Sequence, residues 1–175
     1  EHQISMPNVL PPEVLLPDIK QAEKFKKTAP LIHKRVTYIH PNPIEFRPVE
    51  RMDPLNPNPG RPYRHVWFKS KEKVEIDLPM HHKIFAFASD YHLLGTAISP
   101  HRGKIDRASI FLASLDHALW FHRDFQIDDW LLYAMDSPSA SNSRGFSRGN
   151  IFDLDGRLVA SVVQEGLIRE KRKAK

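Results

Sequence analysis

Cysteine is absent from the 175-residue chain. With it go disulfides, thiolate metal sites, redox pairs and every mechanism that needs a cysteine nucleophile. No apolar run approaches the ~18 residues that a membrane-spanning helix requires. The opening Glu1-His2-Gln3-Ile4-Ser5 lacks the charged start and apolar stretch of a secretory signal, and it does not begin with Met. The expectation is a soluble chain that is a piece of a longer protein. What is present is close to ordinary globular composition, 41% hydrophobic and 27% charged, on a chain long enough to bury about 70% of the surface its unfolded form exposes.

The net charge of +5 and a pI near 9.5 invite a nucleic-acid reading, so the location of the charge matters. Residues 169–175 hold five Lys or Arg against one Glu, which is +4 of the +5 and leaves about +1 for the preceding 168 residues. The body is therefore not basic, and no nucleic-acid partner is expected.

Thirteen of the fifteen prolines fall at or before Pro79, and residues 53–60 are turn punctuation throughout. Three parts follow: a proline-rich lead-in over 1–62, a packed domain over 63–170 and a basic tail over 171–175. The lead-in carries a short amphipathic helix over 19–28 and a strand over 44–51. In the packed domain, residues 64–69 read as a strand, and Asp77 with Pro79 marks a helix start. The helix is expected over 80–98. Its Ile84, Phe85, Phe87, Tyr91, Leu93 and Leu94 are apolar on more than one face, so it must be enclosed. Strands over 108–115, 130–135, 146–154 and 158–168 supply the enclosure, the last two joined by a hairpin at Asp155-Gly156. The fold class is α+β, an antiparallel sheet curled round one long helix.

Three polar residues stand where that pattern calls for apolar ones. In helical phase Asp90 has Ala86, Phe87, Leu93 and Leu94 as neighbours, and a carboxylate directed into such a face costs several kcal/mol unless it is paired or protonated. A general base and a carboxylate capping a nearby loop are both open readings. Period-two counting puts Ser114 on the face of Ile110 and Leu112, and Gln164 on that of Leu158, Ala160 and Val162. Singly, each is an ordinary satisfied core group; together they mark a functional site, where conflicts of this kind concentrate.

Gly145-Phe146-Ser147-Arg148-Gly149 matches the nucleophile elbow of serine hydrolases. That mechanism needs a histidine downstream of the serine, and the last of the ten histidines is His122. The motif's two glycines and the stretch from Ser137 to Ser143 read instead as an irregular strand entry, with Arg144 and Arg148 as candidate anion contacts. The histidines show no ligand pair at helical spacing, so no metal and no cofactor is expected.

Ala88-Ser89-Asp90-Tyr91, the block from Ser114 to Arg123, Trp130-Leu131-Leu132-Tyr133, Ser143-Arg144-Gly145-Phe146 and the run from Val163 to Arg169 occur in an order and at spacings that resemble the second half of acyl-CoA thioesterase II. The resemblance covers roughly residues 47–169. It implies a hotdog fold, a second hotdog domain as partner from the same protein or a second copy, and acyl-CoA as substrate. It also implies a catalytic Asp/Thr-or-Ser/Gln set on Asp90, Ser114 and Gln164, with serine where bacterial members usually carry threonine. Arg144 and Arg148 become candidates for the CoA phosphates. A module that binds acyl-CoA or associates without catalysis is the rival reading. The family's peroxisomal members imply a peroxisomal location, with the cytoplasm as the alternative, since Ala174-Lys175 fits the first two positions of a C-terminal import tripeptide whose third position is not in the sequence.

Overall fold

Alternation of apolar and polar residues in the second half of the chain is realised as a curled antiparallel sheet with two helices on one face. The computed structural model describes residues 1–30, 33, 43–50, 58–105 and 109–170. Its elements in chain order are α1 (Asp18–Glu23), β1 (Ile44–Pro48), β2 (Tyr63–Ser70), α2 (Leu78–Ser89), α3 (Leu93–Ile98), β3 (Ile110–Ser114), β4 (Ala118–Phe121), β5 (Leu131–Ser141), β6 (Arg144–Phe152) and β7 (Leu158–Glu170). The strands order as β1-β2-β5-β6-β7, and the outer edge of β7 carries both β3 and β4. β3 pairs residues 166–170 and β4 pairs residues 160–163, so the edge is interrupted at residues 115–117. This is the expected hotdog arrangement of sheet around helix.

Both hairpins have local causes. Gly156, with φ 80°, turns β6 into β7 where the Asp155-Gly156 signal placed a hairpin. Asn142 and Ser143, at φ 49° and 59°, form the tight turn between β5 and β6. The irregularity expected over residues 137–143 is a register shift between Asp136 and Ser139, after which pairing resumes to Ser141; the turn itself went unread because Asn-Ser announces a mirror-image turn more weakly than Asn-Gly does.

The helix face of the sheet buries Phe68, Tyr133, Ile151 and Val162 against Phe85 and Ala88 of α2. α3 lies closest to the sheet, and small residues admit it. Gly145 and Gly166 are register partners. A Cβ on Gly145 would stand 2.8 Å from that of Ala97, and one on Gly166 2.5 Å from Leu94 Cδ1. On the opposite face Trp67, Leu132 and Phe152 are buried under Leu15. The start of the lead-in is strapped across this face: Trp67 Nε1 donates to the Leu10 carbonyl at 2.9 Å and Arg47 Nη1 to that of Pro12 at 2.7 Å. The Gln3 amide closes the strap, donating to Gly156 O at 2.7 Å and accepting from Leu158 N at 3.0 Å.

The single helix expected over 80–98 is two helices. Asp77 caps the first as anticipated, its Oδ1 accepting from Met80 N at 3.1 Å, but α2 ends at Ser89 and the chain turns through His92 at φ 76°. A non-glycine residue in the left-handed region costs about 1 kcal/mol or more, which burial of the His92 ring against Phe46, centroids 5.0 Å apart, offsets. Burial, reinforced by the positive charge of Arg64, holds the His92 imidazole well below its ordinary pKa. Below about pH 6.5 the unfolded state therefore binds a proton that the folded state refuses, and stability falls by up to ~1.4 kcal/mol per pH unit. His92→Asn keeps a residue tolerant of positive φ and removes the titration. Urea midpoints at pH 7.5, 6.5 and 5.5 are expected to fall less steeply with acid in this variant, and parallel curves would contradict the assignment.

β4 is a strand that the sequence did not suggest; the other described strands and α1 differ from expectation mainly at their ends. Residues 51, 108 and the tail 171–175 lie outside the described residues, the tripeptide segment included. No helix among the described residues is long and apolar enough to cross a membrane.

Candidate active site

The interruption in the β7 edge lies opposite Gln164 and Glu165. Leu115 N and Asp116 N donate to Glu165 O at 2.9 and 3.5 Å, and Asp116 Oδ1 accepts from Glu165 N at 2.7 Å. The backbone there is satisfied without a paired strand, and the end of β3 is free to turn its last side chain toward the end of α2.

At this place the structure brings Asp90, Ser114 and Gln164 together. Gln164 Nε2 donates to Asp90 Oδ1 at 2.9 Å and to Ser114 Oγ at 2.5 Å, and Ser114 Oγ donates to Asp90 Oδ1 at 3.3 Å. One group comes from a helix end, one from an edge strand and one from the sheet interior. Gln164 is only 2% exposed, and its Oε1 is buried without a hydrogen-bond partner among the described residues.

The reason given by the sequence for Asp90 needs correction. Its carboxylate is exposed and not enclosed by an apolar face, because α2 stops at Ser89 and Asp90 caps it, so the helical phase does not extend through it. Ser114 is likewise exposed, at the end of its strand. Only Gln164 is the buried polar residue that periodicity implies.

The seat of Asp90 rests on residues that sequence reasoning passed over. Ser89 is fully buried; its Oγ lies 2.9 Å from Ala86 O and 2.8 Å from His117 Nε2, while Tyr133 Oη donates to its carbonyl at 2.9 Å. Burial raises the Tyr133 phenol well above its usual pKa, and the charge of Asp90 raises it further; the half-buried Tyr91, next to Asp90, shows the same two causes more weakly. Ser89 was visible as a hydroxyl among helical apolar residues, whereas the part played by His117 depends on the edge interruption.

Arg144 and Arg148 are not part of this cluster. Ser147 is the register partner of Gln164, and both face the helices, so Arg144 and Arg148 stand on the other face of the sheet. Each is paired there, Arg144 with Glu165 at 2.6 Å and Arg148 with both carboxylate oxygens of Asp136 at 3.0 and 2.5 Å. The elbow-like motif is packing: Ser147 Oγ is buried and donates to Leu93 O at 2.9 Å, and Gly149 makes room for the Tyr133 ring. Among the described residues no group of three or more His, Asp or Glu is placed to hold a metal ion. Phe87 on α2, Leu115 next to Ser114 and Phe121 on β4 remain 40–52% exposed on the side of the site, while Phe111 and Trp120, register partners of Arg169 and Ser161, are exposed on the other face of the sheet.

Comparison with known proteins agrees with fold and motif. The family model described as Acyl-CoA thioesterase matches residues 37–167. Acyl-CoA thioesterase 2 of Haemophilus influenzae is 34% identical over 171 residues, 97% of this chain and 59% of its own. Acyl-coenzyme A thioesterase 8 of Homo sapiens is 37% identical over 184 residues, 98% of this chain and 55% of its own. Among solved structures, the acyl-CoA thioesterase II TesB2 of Mycobacterium marinum superposes with a TM-score of 0.73 at 37% identity, over 97% of this chain and 57% of its own. The chain spans little more than half the length of the relatives it matches. Matched across most of its length in sequence and in fold, it belongs to the acyl-CoA thioesterase family.

Proposed function

We propose that this domain hydrolyses acyl-CoA thioesters to free fatty acid and CoA, with water as the nucleophile. The observation that carries the reading is the convergence of three groups: Gln164 Nε2 donates to both Asp90 and Ser114, and the carboxylate and hydroxyl so held are on exposed residues. A water can therefore reach the carboxylate, and the thioester carbon can reach the water, without opening the core.

In this reading a water beside the exposed carboxylate donates a hydrogen to Asp90, which takes the proton as the oxygen attacks the thioester carbon. Ser114 and Gln164 hold the carboxylate in line, so that the attack geometry exists before substrate arrives. The tetrahedral adduct collapses by breaking the C–S bond, and the proton held by Asp90 returns to the departing sulfur. A thioester is electrophilic enough for this without a covalent intermediate, so the missing cysteine is no obstacle. Release of free CoA thiol from acyl-CoAs of several chain lengths is the test, and binding without release would favour the rival module.

The exposed Phe87, Leu115 and Phe121 support a second hotdog domain, from the same longer protein or a second copy, seated beside the site. Cations for the CoA phosphates would then come from that partner, since Arg144 and Arg148 face away. Light scattering at micromolar concentration is expected to give about twice the 20.3 kDa of one chain; a monomer mass would overturn the second-copy form. The peroxisome is the compartment we propose, on the family resemblance, and localisation of a fusion that leaves the native C-terminus free checks it.

A further inference from the structure

Asp90 and Ser114 meet only at 3.3 Å, a long contact for an O–H···O bond, and Gln164 joins them from the sheet side, which leaves the edge segment beyond Ser114 to be tied to the end of α2 by a contact of its own. His117 is placed to make it. It sits in the edge interruption, three residues beyond Ser114, and its Nε2 lies 2.8 Å from the hydroxyl of Ser89, the residue preceding Asp90.

The direction of that hydrogen bond follows from counting protons. The Ser89 hydroxyl has one hydrogen, and the Ala86 carbonyl at 2.9 Å can only accept, so that hydrogen is committed there. The contact with the ring must then be donated by the ring. We propose that His117 is a positioning residue for Asp90: it carries its proton on Nε2, donates to Ser89 Oγ, and through that bond ties the segment bearing the hydroxyl to the helix end bearing the carboxylate. A second observation agrees. With Nε2 protonated, Nδ1 of the neutral ring is a bare acceptor, and it is buried without a hydrogen-bond partner among the described residues. The Tyr133 hydroxyl on the Ser89 carbonyl holds the same residue from the sheet side, so Ser89 is clamped between β5 and the edge. The inference rests on the hydrolytic reading for its kinetic consequence, but its hydrogen bond can be observed without any catalysis.

Two measurements on the whole chain test it. Long-range 1H–15N correlation of the histidine rings at neutral pH is expected to show the His117 ring protonated on Nε2; protonation on Nδ1 alone would overturn the proposal. In kinetics, His117→Leu is expected to lower kcat about 10- to 100-fold with KM changed less than about threefold, the size of loss that a displaced catalytic group produces. His117→Gln, whose amide nitrogen reaches as far as Nε2, should recover kcat to within about threefold of the parent, whereas His117→Asn, which reaches only as far as Nδ1, should not. Ser89→Ala should match His117→Leu, and the double variant should lose little more. Equal impairment of the Leu and Gln variants, both folded by circular dichroism, would overturn the positioning role. If Asp90→Asn hydrolyses as well as the parent, the hydrolytic reading falls while the ring tautomer still decides this bond. If Asp90→Asn is inactive and the Leu and Gln variants are alike, that reading stands and this one falls.

Discussion

Asp90→Asn is expected to lower kcat/KM for acyl-CoA hydrolysis by about 10²-fold or more while the melting temperature stays within a degree or two of the parent. The carboxamide has the shape of the carboxylate and retains an oxygen to accept from Gln164 Nε2 and Ser114 Oγ, which meet Asp90 at 2.9 and 3.3 Å. What it loses is basicity: an amide does not take a proton from water near neutral pH, and general-base assistance contributes about 10²–10⁴-fold. The exposure of Asp90 makes the experiment clean, because no buried charge is removed and no cavity is opened. The loss should fall on kcat more than on KM, since the base acts on water rather than on the acyl or CoA portions of the substrate. Free thiol release measured alongside thermal unfolding separates the effects, and a variant keeping most of its activity would remove Asp90 from the base position.

Asp90 also shows where reading a sequence succeeds for a reason the structure replaces. Periodicity singled it out as a carboxylate in an apolar helical face, but α2 ends one residue earlier and the side chain is exposed. The break is set by His92, whose left-handed backbone is held by burial against Phe46 from β1, a contact between residues 46 positions apart that no local pattern encodes. Gln164 was legible because a long central strand obeys strict alternation, and one amide among Leu158, Ala160 and Val162 stands out. β4 was not, being four residues long, on an edge and largely exposed, so alternation there has nothing to act on. Which way Arg144 and Arg148 point is a question of register, fixed by the Asn142-Ser143 turn and by the pairing of Ser147 with Gln164. The strap formed by the lead-in depends on a glutamine, an indole and an arginine bonding backbone groups far along the chain, which composition alone showed only as a proline-rich stretch.

Gly149→Ala tests how strongly the seat of Asp90 is coupled to the core, and it is expected to destabilise the fold by about 1–2 kcal/mol. A methyl there would lie 2.1, 2.9 and 3.0 Å from three atoms of the Tyr133 ring, distances at which the ring has to move. It has little room: Tyr133 is completely buried, its ring is 6.0 Å from that of Phe68, and its hydroxyl is anchored on Ser89 O. Overpacking of this kind costs typically 1–3 kcal/mol, against which the lower entropy of the unfolded alanine chain returns about 0.4–1 kcal/mol. At about 2–4 °C per kcal/mol for a domain of this size, the melting temperature should fall by roughly 2–8 °C. Gly166→Ala provides the contrast, because its methyl would meet the flexible end of Leu94 at 2.5 Å, which can turn aside, and its loss should be less than half as large. Activity is the more telling readout. A displaced Tyr133 drags on Ser89 and so on Asp90, and kcat for the folded Gly149→Ala protein should drop about tenfold, whereas Gly166→Ala should stay within about threefold of the parent. Equal melting temperatures for parent and Gly149→Ala would show that the ring yields freely, and full activity despite destabilisation would show that Asp90 does not depend on the Tyr133 anchor.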